Sequence, residues 1–222
     1  MESAWIALSL SLKVAGWATA LNAVFGIGIA WALARWRFPG RELVDAILTL
    51  PMVLPPTVLG YYLLVLIGRN GPIGAFLQQY FGITLIFSFA GAVIAATIVA
   101  LPLVLKSARA AFETIDPQFE RAARVLGLSP LAIFFRVTLP LARRGIVAGL
   151  LLAFARALGE FGATLMVAGS IPGRTQTLSI AVYEAVQAGQ DATANLLVAV
   201  VSVTCILILL AVGKLTPARP QA

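Results

Sequence analysis

The sequence predicts an all-α protein embedded in a membrane, on three observations. Of its 222 residues 60% are hydrophobic and only 11% charged, an imbalance that leaves too little polar surface to cover a water-soluble fold. The apolar surplus is gathered into five separate runs, at 14–34, 43–67, 83–105, 145–169 and 195–213. Each can cross about 30 Å of hydrocarbon as a helix rising roughly 1.5 Å per residue. None alternates polar with apolar residues, so barrel strands are excluded, and helices remain as the way to satisfy every backbone N–H and C=O inside lipid.

The first run is a retained anchor rather than a signal peptide. No basic residue precedes Lys13, and the positive cluster follows the run at Arg35, Arg37 and Arg41, which sets the N-terminus outside. A short turn at Pro39-Gly40 makes the second run its antiparallel neighbour. That second run carries Pro51, Pro55 and Pro56. They withdraw backbone donors and leave carbonyls near Ile47, Pro51 and Met52 without helical partners. Such carbonyls are tolerated at membrane depth only against protein or a water-filled path, so the prolines mark either a gate or a packing kink.

The third run ends near Leu105, and the stretch 106–144 after it is mixed in charge. Ala111, Phe112, Ile115, Phe119, Ala122, Ala123 and Leu126 recur at helical spacing; Gly127 and Ser129-Pro130 interrupt them, and 131–137 is apolar again before Leu139-Pro140. Two short helices with a bend, lying on the inner membrane surface, are expected there; a solvated linker would be polar throughout. Between the fourth and fifth runs, 170–194 contains a turn at Ile171-Pro172-Gly173 and an apolar stretch, 178–186, too short to cross. The fifth run ends at Gly213-Lys214, where Ile208 and Leu215 replace the Gly and Ser or Thr of a phosphate loop, so the pair reads as a helix end.

Charge orients these elements. Segments 35–42, 106–144 and 214–222 hold 12 of the 16 Lys and Arg residues, the opposite segments 1–13, 68–82 and 170–194 hold 3, and Arg156 lies within a run. By the positive-inside rule five spans run from an outer N-terminus to a cytoplasmic C-terminus. The same asymmetry accounts for the net charge of +7 without nucleic acid. One cysteine, Cys205, and no histidine exclude a disulfide framework and remove the commonest general base and metal ligand.

Arg156 and Glu160 stand near the middle of the fourth run, where a charge costs on the order of 2.5–3.5 kcal/mol. A spacing of four places them on one helix face and lets them neutralise each other, although Arg before Glu is the weaker order. The pair either lines an anion pathway, attracting a dianion weakly enough to release it, or only fastens the bundle. Gly159 and Gly162 beside it permit a close neighbour. Gly145 and Gly149 offer a small-residue face for a second copy, since a five-helix chain has few helices with which to enclose a pathway.

The segment from Phe119, Phe-Glu-Arg-Ala-Ala-Arg-Val-Leu-Gly followed after nine residues by Val137-Thr138-Leu139-Pro140, resembles the cytoplasmic signature of bacterial ABC import permeases. Ala122, Ala123, Gly127, Leu139 and Pro140 match that signature; Arg121 stands in place of its Glu, Val137 in place of its Ile, and Glu120 is the adjacent acid. Leu50-Pro51-Met52-Val53-Leu54-Pro55-Pro56-Thr57-Val58-Leu59-Gly60, Gly68-Arg69-Asn70-Gly71-Pro72, Arg156-Ala157-Leu158-Gly159-Glu160-Phe161-Gly162-Ala163-Thr164 and Ile171-Pro172-Gly173-Arg174-Thr175-Gln176-Thr177 are similar to the molybdate permease subunits. Sulfate and thiosulfate permeases are similar around Arg156 to Thr164 but generally longer.

This resemblance implies one permease domain, 1–222, of the type I ABC importer core, in the bacterial inner (cytoplasmic) membrane. It implies a coupling role for Glu120, Arg121, Ala122, Ala123, Gly127, Leu139 and Pro140; the reading of the residues themselves adds an expected pathway or gate at Pro51, Pro55, Pro56, Arg156, Gly159, Glu160, Gly162 and Thr164. The implied partners are a second permease copy in a homodimer, two ATPase subunits and an extracytoplasmic molybdate-binding protein. No cofactor is expected on this chain and no catalysis by it; ATP and Mg2+ belong to the ATPase, and the expected substrate is molybdate or tungstate, with a sulfate or thiosulfate ABC permease as the alternative. A secondary anion transporter is the competing class, against which the chain shows no internal repeat.

Overall fold

The computed structural model describes the backbone of residues 2–215 and the side chains of residues 4–210. The first helix starts well before the apolar run: α1 (Glu2–Leu21), a π turn (Asn22–Gly26) and α2 (Ile27–Arg35) follow one another without a break. No glycine or proline interrupts the chain before Gly16, and the early turns have a surface to cover, with Ala7 buried among Leu178, Ala185, Ala194 and Leu197. At the π turn the Asn22 amide donates to the Thr97 carbonyl at 3.0 Å. A Cβ on Gly26 would lie 3.2 Å from Val104 Cγ1, so the π turn packs tightly on its neighbour.

The second run does not form one straight span. α3 (Arg41–Thr49) and a 3-10 turn (Leu50–Met52) meet α4 (Pro56–Ile67) at 115°. Pro55 and Pro56 have no N–H to continue the ladder, and Pro56 takes the first helical position, where none is needed. The expectation of an orphaned Ile47 carbonyl is corrected, because the tighter 3-10 turn delivers the Leu50 N–H to it. Segment 68–82 holds a further short helix, α5 (Pro72–Phe81), before the central helix α6 (Phe89–Glu113), whose N-cap Ser88 accepts the Gly91 N–H at 3.2 Å.

α6 outruns the third apolar run. Ala108 and Phe112 are fully buried with Leu33, Ala142 and Ile146, so its last turns are held by packing although Lys106 and Arg109 face outward. The helical pattern that the sequence carries from Ala111 to Leu126 is therefore split: Ala111 and Phe112 close α6, and α7 (Pro117–Val125) starts afresh on the Asp116 carboxylate, which accepts the Gln118 N–H at 2.8 Å. The second short helix is corrected as well. α8 (Pro130–Ile133), a π turn (Phe134–Thr138) and α9 (Leu139–Leu158) are continuous. Pro140 would collide with the Arg136 carbonyl in a regular helix, and the wider π turn absorbs both its ring and its missing donor.

α6 packs along α9 at very short range. A Cβ on Gly145 would stand 2.6 Å from Ala111 Cβ, and one on Gly149 2.7 Å from Ser107 Cβ. These glycines are thus spent inside one chain, which removes them as the reason for pairing with a second copy. The other flanks of α6 receive α1 on Ala92, Ala96 and Ala100, and α4 with α10 (Gly162–Ala168) on Ala95 and Val99. α11 (Leu178–Gln187) and α12 (Asp191–Leu215) close against α1. Leu196, Val203, Leu207 and Leu210 of α12 stay exposed, as suits a lipid-facing helix. The helix end expected at Gly213-Lys214 falls at Leu215 in the backbone, and the side chains there lie outside the described residues. Among the described residues four helices are long and apolar enough to cross a membrane, or five when the bent pair α3–α4 is one span, so the chain is a multi-pass membrane protein.

Candidate functional site

The fourth run, like the second, is broken, and the two breaks meet. α9 ends at Leu158, residues 159–161 are not helical, and α10 resumes at Gly162. Glu160 joins the two ends: its Oε2 accepts from Arg156 Nη1 at 2.7 Å and its Oε1 accepts the Ala163 N–H at 2.9 Å. The expected ion pair therefore exists, but it spans a helix end instead of lying along one helix face. Each charge sits at the terminus that favours it, Arg156 in the last turn of α9 and Glu160 against the first turn of α10. The Glu160 side chain is 2% exposed and that of Arg156 36%, so the carboxylate is the buried anchor and the guanidinium the accessible part.

Gly162 brings this break against the second run. A Cβ there would lie 2.9 Å from Pro56 Cβ, and one on Gly60 would lie 2.7 Å from Met166 Cβ and 3.0 Å from Ala163 Cα. α4 and α10 touch backbone to backbone as a result, as only small residues permit. Thr164, in the first turn of α10, is buried with its hydroxyl oxygen unpartnered. The structure thus gathers Arg156, Glu160, Gly162, Pro55 and Pro56 around one junction. The expectation of a close neighbour at Gly159 is corrected, since it is exposed and a Cβ there would meet only the Ala155 carbonyl of its own helix, and Pro51 lies on the far limb of the bend, in the 3-10 turn. Gly60 and Met166 are not among the sequence-predicted site residues. A glycine one turn after Pro56, on the same helix face, was the available signal for Gly60.

The limb beyond the bend is weakly rooted. α3 has no buried residue and is tied to α6 by ions: Asp45 meets Lys106 and Arg109 at 2.7 and 2.8 Å, and Glu113 meets Arg41 and Arg109 at 3.1 and 2.8 Å. The ions form one half-buried network in which Asp45, Arg109 and Glu113 are shared, and Leu48 adds the apolar contact of α3 with the core.

α7 divides its residues between two faces. Glu120 turns inward, where Oε1 accepts from Arg35 Nη2 at 2.6 Å and from the Thr138 hydroxyl at 2.8 Å. Ala123 is buried beneath the helix and Leu139 is half-buried, while Arg121, Ala122 and Pro140 are exposed. Gly127, at φ +79°, closes the helix: its N–H reaches the Arg124 carbonyl at 2.9 Å and the Leu128 N–H reaches that of Ala123 at 3.2 Å. That pairing is a Schellman cap, which requires the left-handed region at this residue. The outward surface is unexpectedly apolar, with Val125 88% and Leu126 81% exposed and Phe119 and Leu131 beside them in the chain order. Arg35 and Thr138, which hold Glu120, carried no signal in the spacing.

Gly127→Val is expected to strain the cap by about 1–2 kcal/mol, because nothing within 4 Å opposes the side chain but the backbone does. The checking measurement is ATP hydrolysis by the purified complex: stimulation by a loaded binding protein should fall while the protein remains folded. Retained stimulation would show that the cap only connects two helices.

Among the described residues no three His, Cys, Asp or Glu side chains gather where they could hold a metal ion. The charged centre of the junction is a part-exposed guanidinium held by a buried carboxylate between two helix ends.

Known proteins match both the sequence and this architecture. The molybdenum transport system permease protein ModB of Escherichia coli K12 is 46% identical over 93% of this chain and 91% of its own length. The sulfate transport system permease protein CysW of Synechocystis is 45% identical over 80% of this chain but 64% of its own. In three dimensions, a bacterial ABC transporter that imports the acidic polysaccharide alginate covers 100% of this chain and 81% of its own at a TM-score of 0.77 and 15% identity, which shows the fold. Residues 24–218 match the family model described as binding-protein-dependent transport system inner membrane component, and the chain, an ABC transporter permease, belongs to that family.

Proposed function

We propose that this chain is the pore subunit of an ATP-driven importer that moves molybdate or tungstate into the cytoplasm across the bacterial inner membrane. The observation that carries the reading is the junction of two broken helices around Arg156 and Glu160, in a chain 46% identical to a molybdenum permease along nearly its whole length. A tetrahedral dianion accepts hydrogen bonds from an accessible guanidinium, and the buried Glu160 carboxylate keeps that attraction weak enough for release.

In this reading five spans run from an outer N-terminus to a cytoplasmic C-terminus, the bend of α3–α4 counting as one, on the strength of the 12 to 3 charge asymmetry. Two copies enclose the pathway. The exposed face of α7 with Phe119, Arg121, Ala122, Val125 and Leu126 docks one of two ATPase subunits, which carry the ATP and Mg2+, while Glu120 fixes α7 to Arg35 and the root of α9. The permease needs no cofactor and performs no catalysis of its own. Sulfate is the second reading, favoured by the 45% identity to a sulfate permease.

The two are separated by reconstituting the complex in lipid and measuring ATP hydrolysis with a binding protein preloaded with molybdate, tungstate or sulfate. Stimulation by molybdate and tungstate is expected. Stimulation by sulfate alone overturns the assignment, and the absence of an ATPase subunit from the purified complex overturns the importer itself.

A further inference from the structure

We propose that the cleft between α1 and the turn after α10 binds the phosphate of an anionic phospholipid at the sparsely charged interface of the membrane. The cleft, of about 420 Å3, is lined by Leu10, Lys13, Trp17, Phe89, Gly173 and Arg174. Segments 1–13, 68–82 and 170–194 hold just three basic residues, Lys13, Arg69 and Arg174, and two of those three line this one cleft. Among the described residues neither Lys13 nor Arg174 has an acidic partner; the ion pairs of the chain are all made by other residues. Two cations set around one cleft repel until an anion stands between them, and a phosphate accepts from both.

Depth identifies that anion as a headgroup. Lys13 precedes Arg35 by 22 residues in one continuous helical rod. At roughly 1.5 Å per residue the two are about 33 Å apart, the thickness of the hydrocarbon core. Arg35 is among the cations of the charged side, paired with Glu120, so Lys13 lies at the opposite headgroup level. Trp17 is one turn deeper, exposed on the same helix, where an indole flanks the upper acyl chain.

The cleft is also preformed. The Ser11 hydroxyl, 2% exposed, accepts the Leu178 N–H at 2.7 Å, and the fully buried Thr175 hydroxyl oxygen accepts the Ile171 N–H at 3.0 Å. These bonds pin the turn that carries Arg174 to α1. The transport junction is elsewhere: α1 lies on the Ala92, Ala96 and Ala100 face of α6, and α4 and α10 on its Ala95 and Val99 face.

A free tetrahedral oxyanion shares this chemistry, and the test separates the two. The full-length protein, with the subunits that accompany it, is extracted from vesicles of equal phosphatidylethanolamine and phosphatidylglycerol and examined by native mass spectrometry. Phosphatidylglycerol should be retained selectively, Lys13→Gln with Arg174→Gln should reduce its retention on the order of tenfold, and Lys13→Arg with Arg174→Lys should preserve it. Excess molybdate should leave the lipid in place. Equal retention of both lipids, unchanged retention in the double-glutamine variant, or displacement by molybdate each overturns the assignment, the last by giving the cleft to a free anion. Should the double variant lose its thermal midpoint, the single variants of these exposed side chains are read in the same way.

Discussion

Arg156→Gln is expected to reduce oxyanion uptake severely in a complex that still assembles and hydrolyses ATP. The guanidinium is the exposed half of the junction, and losing a charged hydrogen bond to the passing anion, worth about 1.5–3 kcal/mol, corresponds to roughly a 10- to 100-fold loss of flux. The single substitution also strands the Glu160 carboxylate, which is 2% exposed and keeps only the Ala163 N–H. Breaking a buried pair in this way destabilises by about 3–5 kcal/mol, so the thermal midpoint should fall too. The double variant Arg156→Gln with Glu160→Gln separates the two effects. A glutamine at 160 still offers an oxygen to Ala163 and no buried charge remains, so stability should return while uptake stays low. Normal uptake by the double variant would show that the pair merely fastens α9 to α10.

Gly60→Ala is expected to force α4 away from α10 and to stop transport. The added methyl would stand 2.7 Å from Met166 Cβ and 3.0 Å from Ala163 Cα, and neither is the movable tip of a side chain. Overpacking of this kind costs about 1–3 kcal/mol. Gly16 is the control: nothing lies within 4 Å of the position a methyl would take there, so Gly16→Ala should be neutral or slightly stabilising, as helix propensity alone dictates. The measurements are thermal unfolding in lipid and molybdate uptake, with both glycine variants in parallel. Equal midpoints and equal uptake for the two would mean that the α4–α10 contact yields without consequence.

The legible part of the site was its chemistry. Arg156 and Glu160 stood out because charge is rare in an apolar run, and the Pro55-Pro56 break because proline has no N–H to give. Their meeting was not legible. It depends on Gly162 lying against Pro56 and Gly60 against Ala163, distances between segments about a hundred residues apart in the chain that no local pattern encodes. Glu120 shows the same limit. Its position beside the Ala122-Ala123 pair suggested a docking acid, yet the approach of Arg35 from α2 turned it inward.

What the sequence by itself determined is that the chain lives in a membrane as helices and which ends of them carry positive charge. Hydrocarbon thickness, backbone satisfaction and the positive-inside bias act on each segment separately, so a one-dimensional reading suffices. Only the tertiary structure decided where the helices stop and what their glycines face. α6 continues to Glu113 because α2 and α9 bury Ala108 and Phe112, α8 merges with α9 through a π turn that accommodates Pro140, and Gly145 and Gly149 serve α6 instead of a second copy. Each of these outcomes is set by the free energy of packing one element on another, and that term does not exist until the partner element is in place.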